Sequence, residues 1–340
     1  MMRIWATLFF LLGLVVPATA QPAEEFYKGK TVKIIVGFGP GGGYDVYARL
    51  LSRHIGKHIP GNPNVVVQNM PGAASLLSTN YLYNVAPKDG TVIGTFARNM
   101  VLLGVMKDDP NVQFDPSKFI WLGSASSMQS DAVMLFVRKD AGFSSVTDLK
   151  NKELVVGVSG EGGGSNDLSA ILRDVLGFKF RMVSGYPDGN ALSLAVDRKE
   201  VDARFNGIVS TSATKPDWLQ PGSPIKVMLQ FGRANRHPDF PNVPTARELA
   251  TTEWAQAVIG LMETPYMLSR PFAVPPGVPV DRAKILQDAF MKTNADPAYL
   301  EEGRKLKLDM SPVGPDHAAA LIAALSTAPS DLLEYLKNIQ

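Results

Sequence analysis

The chain has no cysteine in 340 residues. Disulfide stapling, thiol catalysis, a Cys-lipid anchor and thiolate metal sites are therefore excluded at once. Charge of one sign is also lacking: 34 Lys and Arg face 32 Asp and Glu, a formal +2. Nothing in that balance favours nucleic acid or a polybasic grip on membranes. Four histidines, His54, His58, His237 and His317, leave little for acid–base or metal work. His54 and His58 share an i, i+4 spacing, but His-Ile-Gly-Lys-His lacks the glutamate and third ligand of a zinc site. No G-x-S-x-G motif occurs, and Ser159 in Gly157-Val-Ser-Gly-Glu161 lacks the second glycine. Beyond residue 20 no apolar run approaches the ~20 residues of a membrane span.

What is present begins with an export signal. Arg3 gives the charged start, Ile4 to Val16 the apolar stretch, and Ala18-Thr-Ala20 the small-residue cleavage site before Gln21. A cleaved signal over 1–20 predicts a protein delivered to the periplasm. The remaining ~320 residues suit two domains and can bury a sufficient core without disulfides.

Next comes Val32-Lys-Ile-Ile-Val-Gly-Phe-Gly-Pro-Gly-Gly-Gly-Tyr-Asp45, a strand running through a glycine loop into a helix over 44–57. A helix start bared of side chains offers unpaired amides and a positive dipole end, an anion site without a charged residue. G-x-G-x-x-G fails here because Tyr44 stands at the last glycine position, and neither glycine run continues as a P-loop. Tight turning alone needs one or two glycines, not Gly41-Gly42-Gly43 in a row. Asp45 reads either as a helix-start residue holding loop amides or as a carboxylate with no partner acid nearby.

Strands are predicted at 32–38, 65–68 and 91–95, with helices at 44–57 and 73–84. A second series has strands at 132–137, 154–158, 180–183, 202–205 and 225–229, and helices at 165–176 and 189–199. The chain then becomes polar and proline-rich over 233–245, and helical over 280–294, 297–306, 315–324 and 329–338. The alternation gives an α/β fold of two domains, each a mostly parallel sheet flanked by helices. The second series repeats the first, since Leu154–Val158 leads through Ser159-Gly-Glu-Gly-Gly-Gly-Ser-Asn166 into a helix. The two loops could face each other across a cleft, with the turn Met70-Pro-Gly-Ala-Ala-Ser75 on the same sheet edge. Tyr186 in Gly185-Tyr-Pro-Asp-Gly-Asn190 reads equally as a ligand contact or a buried turn ring. By alternation Arg204 shares a face with Asp202 and Asn206, an ordinary exposed charge; pointing inward, its planar fork would suit a carboxylate.

In order and spacing these segments resemble the substrate-binding receptors of tripartite tricarboxylate transporters, the Bug family. The likeness rests on Gly39-Pro-Gly-Gly-Gly-Tyr-Asp45 with Ala48-Arg-Leu-Leu51, on Val67-Gln-Asn-Met-Pro-Gly-Ala73, and on Ala86-Pro-Lys-Asp-Gly90. It continues through the loop to Ser165, Gly185-Tyr-Pro-Asp-Gly189, Glu200-Val-Asp202 and His237-Pro-Asp-Phe-Pro-Asn-Val-Pro-Thr245. The resemblance implies a hinged periplasmic binding fold (type II-like), with residues 130–230 inserted as domain 2 into a discontinuous domain 1 of 21–129 plus 231–340. Crossings would lie near Gly123–Asp131 and Gln230–Arg233. It implies a monomeric receptor, not an enzyme, that holds a mono-, di- or tricarboxylate without cofactor or metal and hands it to membrane permease subunits. Carried over, the ligand-binding residues are Phe38, Gly39, Gly41, Gly42, Gly43, Tyr44 and Asp45, with Gly72, Ala73 and Ala74, and Gly163, Gly164, Ser165 and Asn166; the reading of the residues themselves adds Tyr186, Asp188 and Arg204 as ligand-binding candidates. Replacing Gly42 or Gly163 by Val is expected to abolish binding and spare the fold. Two departures from the family pattern bear on the ligand: Asn166-Asp167 stands where many relatives have a histidine, and Arg204 where an apolar residue is common. A sensor subunit or an exported hydrolase using the same cleft are the alternatives.

Overall fold

A computed structural model describes residues 23–106, 109–160 and 163–339. The predicted export signal lies outside them, as do Glu161 and Gly162 of the second glycine loop. Five strands form a first sheet: β1 (Thr31–Val36), β2 (Asn64–Asn69), β3 (Val92–Thr95), β4 (Ile120–Ser124) and β10 (Pro271–Val274), in the order β2-β1-β3-β10-β4. Five more form a second: β5 (Val133–Arg138), β6 (Leu154–Gly157), β7 (Phe180–Val183), β8 (Ala203–Gly207) and β9 (Ile225–Phe231), in the order β7-β6-β8-β5-β9. In each sheet one strand, β10 or β5, runs against the other four. The sheets are thus mixed, four strands sharing a direction and one, inserted between two of them, opposing it.

Strand alternation distributes the core. Val32, Ile34 and Val36 of β1 face Tyr47, Leu50 and Leu51 of the helix Gly43–Ile55, while Ile35 faces the other way, toward Leu82 and Phe96. On β5, Val133, Leu135 and Val137 point to that second core, and Met134 and Phe136 to a third with Trp218. Strands buried on both faces are why these runs read as continuously apolar. One core thus passes from the first sheet to the second.

The chain leaves the first sheet after β4 and enters the second at β5. The return lies elsewhere than the sequence suggests. After β9 the main-chain N–H of Gln230 donates to Pro244 O, its Nε2 to Phe240 O and Val243 O, and its Oε1 accepts from His237 N–H. These bonds fold residues 235–245 back over the second sheet. The helix Ala246–Leu249 then packs on β9 and the helix Glu253–Glu263 on the helix Gly164–Leu176. Only at Ser269–Arg270 does the chain run beside the outgoing crossing: Ser269 N–H donates to Ser126 O, and Ala125 N–H to Arg270 O. The expected second crossing at Gln230–Arg233 is therefore corrected to the residues just before β10. The cause is a buried glutamine satisfied locally. Arg233 does touch the first crossing, its Nη1 donating to the carbonyls of Met128, Gln129 and Asp131.

C-terminal helices Val280–Asn294 and Pro297–Lys305 pack on the helix Gly43–Ile55, where Glu302 and Asp296 bond His54 and His58. Among the described residues no cluster of three metal-ligating side chains occurs. The helix Ser330–Ile339 rests on both the helix Gly164–Leu176 and the helix Met100–Met106 of the first sheet's side.

Candidate functional site

The carboxyl ends of β1, β2, β6, β7 and β8 open on one cavity of about 550 Å³ between the sheets. That is within the range of small-molecule sites. From the first sheet come Gly37–Gly39, Gly42–Tyr44, Pro71–Ser75 and Ala97–Asn99. From the second come Ser159–Gly160, Gly163–Ser165, Gly185–Asn190 and Arg204–Gly207.

The helix Gly43–Ile55 begins at Gly42 without a side-chain cap, and its first internal bond runs from Val46 N–H to Gly42 O. The amides of Gly43 and Tyr44 have no partner among the described residues. The helix Gly164–Leu176 begins the same way at Gly163, its first bond running from Asp167 N–H to Gly163 O. Two uncapped helix starts, one from each sheet, thus meet one cavity. Two other helix starts beside the cavity are closed by acids. Asp188 Oδ1 accepts from Asn190 and Ala191 N–H, and Asp131 Oδ1 from Val209 N–H. Both acids satisfy amides that an anion would otherwise find.

Of the residues singled out from sequence, Phe38, Gly39, Gly42, Gly43, Tyr44, Gly72, Ala73, Ala74, Gly163, Gly164, Ser165, Tyr186, Asp188 and Arg204 line the cavity. Gly41, Asp45 and Asn166 do not. Gly41 takes a left-handed φ of 80° and turns its amide onto Asp45. Asp45, 1% exposed, accepts from Gly41 N–H at 2.8 Å, from Arg49 Nε at 2.8 Å and from Asn69 Nδ2 at 2.8 Å. It holds the loop from behind. Burial disfavours its charge, but these three donors win and keep the carboxyl below its usual range. Replacing Asp45 with Ala should cost about 2–3 kcal/mol, the worth of charge-assisted bonds lost with their acceptor. Urea denaturation measures it; a change below 0.5 kcal/mol, the scale of ordinary surface substitutions, would count against this anchoring. Ser165 likewise turns inward, its Oγ accepting from Ser159 N–H at 2.8 Å.

The turn Met70–Ser75 departs from the helix expected from residue 73. Gly72, Ala73, Ala74 and Ser75 all have positive φ, 149°, 43°, 51° and 91°, and the helix starts at Leu76. For three of them this is uncommon backbone, costing of order 1–3 kcal/mol each. Ser75 holds it: its Oγ accepts from Ala97 N–H, and its carbonyl from Ser78 Oγ and Thr79 Oγ1.

Arg204 is 4% exposed, so the ordinary exposed charge read from strand alternation is corrected. The helix Gly189–Asp197 covers that face of β8. Arg204 Nη1 donates to Gly189 O and to Ser193 Oγ, and Nε to Phe205 O. Burial lowers its pKa to about 10, partly offset by Asp188. Two further guanidinium groups line the cavity without being anticipated. Arg98 Nη1 donates to Ser269 Oγ at 2.9 Å and lies over the Tyr266 ring at 4.0 Å. Arg270 Nη1 donates to the same hydroxyl at 2.8 Å, its group lies over Tyr44 at 4.8 Å, and Asp131 approaches it at 3.6 Å. No local motif marks either residue. Tyr266 and Arg270 reach the cleft only because β10 sits inside the first sheet. Across the cleft Arg270 Nη2 meets Ser210 Oγ at 3.4 Å, and Asn99 Nδ2 meets Asp167 Oδ2 at 3.3 Å, so side chains of the two halves are in contact.

No protein-family model matches the chain. It is 27% identical over 310 residues to the "UPF0065 protein in gbd 5'region" of Cupriavidus necator, covering 88% of this chain and 85% of that protein. Among solved structures it is similar to the periplasmic binding protein BugD, with a TM-score of 0.71, 19% identity, and 92% of this chain and 98% of that one covered. MatC from Rhodopseudomonas palustris, solved with bound malate, gives 0.67 at 20% identity, covering 89% and 99%. An R. palustris protein solved with adipate gives 0.69 at 17%, covering 91% and 97%. The chain therefore has the two-domain fold of the Bug-type periplasmic solute-binding proteins and is similar to them along nearly its whole described length.

Proposed function

We propose that this protein is a periplasmic receptor that captures a small carboxylate between its two halves and delivers it, unchanged, to the membrane subunits of a tripartite tricarboxylate-type transporter. The observation that carries this reading is the pair of uncapped helix starts, at Gly43 and Gly164, facing one cavity from opposite sheets. Backbone amides and dipole ends hold a carboxylate without reacting with it. Similar proteins solved with malate and adipate support an acid as the ligand. Four to six hydrogen bonds to a charged group, at about 1.5–3 kcal/mol each, less association and ordering costs, leave about −8 kcal/mol, a micromolar complex.

A hydrolase in the same cleft would need a nucleophile–base pair. No histidine lines the cavity. Thermal-shift screening of the purified protein against a carboxylate panel tests the reading. The expected result is stabilisation that grows with acid concentration; a panel in which no acid raises the melting temperature would overturn it. Transport is tested separately, by loss of uptake of the identified acid in a deletion strain.

A further inference from the structure

Among the described residues the cavity wall carries three guanidinium groups, Arg98, Arg204 and Arg270, against one carboxylate, Asp188, whose Oδ1 caps a helix while its Oδ2 lies on the Gly39 side. Arg270 has Asp131 behind it. Among the described residues no carboxylate lies within 4 Å of a nitrogen of Arg98 or Arg204. Arg204 is buried with Asp188 offsetting its desolvation only in part, and an anionic ligand would supply the remaining counter-charge.

Arg204 is the best placed to act on a ligand. Its Nη1 and Nε are fixed by three neutral acceptors, Gly189 O, Ser193 Oγ and Phe205 O. Its Nη2 has no partner among the described residues, is not one of the fully buried orphan atoms, and lies 3.2 Å from where a Cβ on Gly189 would stand. The guanidinium is thus held in one orientation with one arm left for the cavity. Gly189 and Asp188, which bound it, lie toward the Gly39 side of the first loop, since a Cβ on Gly39 would stand 3.1 Å from Asp188 Oδ2. The helix start at Gly43 lies instead beside Ser210 and Arg270.

We infer that the ligand is a diacid, with one acid group held by the glycine-loop amides and the other by Nη2 of Arg204, which is the residue that selects for the second charge. This inference rests on the receptor reading above and narrows its ligand. A guanidinium arm serves a carboxylate or a phosphonate equally, so the second group is assigned as an acid of either kind.

The test uses matched probes: diacids from succinate to pimelate, the monoacids of the same chain lengths, and 4-phosphonobutyrate, titrated calorimetrically. The wild-type protein should prefer the best diacid over its matched monoacid by at least about tenfold, 1.4 kcal/mol. Arg204→Met should bring that ratio to within about twofold. Arg204→Lys should restore part of the preference. Binding of 4-phosphonobutyrate with glutarate-like affinity identifies the subsite as one for any acid, weak binding as one for carboxylate alone. In the wild-type protein, guanidinium ¹⁵N signals of Arg204 should move with glutarate and stay with pentanoate, which removes dependence on a variant that folds. Equal affinity for diacid and monoacid, or an unchanged preference in Arg204→Met, overturns the inference and leaves the receptor reading standing. Failure of every acid to bind the wild-type protein defeats both.

Discussion

Gly42→Val and Gly164→Val should each weaken carboxylate binding at least about 30-fold, and the double variant should bind none detectably. Each position sits at an uncapped helix start, and a branched side chain there would screen one or two amides from the ligand. Loss of charge-assisted hydrogen bonds at about 1.5–3 kcal/mol each gives that factor. The fold should tolerate both changes. Among the described residues, a Cβ on Gly42 would meet nothing closer than Gly39 O at 3.8 Å, and one on Gly164 nothing closer than Asn99 Oδ1 at 3.8 Å. Gly42 is extended, with φ −76° and ψ 168°, which suits valine. Gly163, equivalent by sequence, is not an equivalent target. Its Cβ would stand 2.7 Å from Gly160 O and closer still to Ser159 Oγ, so Gly163→Val should disrupt the loop itself. Calorimetric titration beside thermal melting separates the cases, and unchanged affinity in both Gly42→Val and Gly164→Val would sink the amide site.

The largest loss of stability is expected from Asp309→Ala, at about 3–5 kcal/mol, because four donors to a charged, buried acceptor lose it at once. Asp309 is 1% exposed and accepts from Ser126 Oγ at 2.6 Å, Ser311 Oγ at 2.7 Å, Ser130 Oγ at 2.7 Å and Ser130 N–H at 3.0 Å. Two of those three serines lie in the outgoing crossing, so the C-terminal segment grips it through one carboxylate. Burial opposes the charge, yet the donors outweigh it and the pKa is held below the ordinary value. A lowered folded-state pKa means the unfolded chain takes up the proton first. The stabilisation is therefore complete above the unfolded value of about 4 and is lost as pH falls through the folded one. Denaturation midpoints taken from pH 6 down to pH 3 should fall less steeply in Asp309→Asn than in the wild type. Parallel curves would show that Asp309 contributes nothing to the acid limb.

Most of the strand and helix pattern was legible in the sequence because both sheets are buried on two faces and their helices on one. The strand 180–183 and the helix 280–294 coincide with those observed. The misses have two causes. The helix Met100–Met106 is buried nearly all round and so has no amphipathic period, while β4 and β10 are short strands whose partners are about 150 residues away in sequence. The glycine loops could be recognised because absent side chains leave a record. Arg98, Tyr266 and Arg270 left none, since only the insertion of β10 between β3 and β4 brings the last two to the cleft. Arg204 was misjudged by strand alternation, which says which residues share a face but not what covers it. Asp45 shows the converse, a charge next to the glycines that serves the loop and not its occupant.

The helix Ser330–Ile339 lies against elements of both halves, so it cannot follow one without slipping on the other. Close-packed seams of this kind hold or break and do not stretch. If capture closes the two halves as proposed, this terminal helix must break its seam with one of them, and that seam would hold the open and closed forms apart.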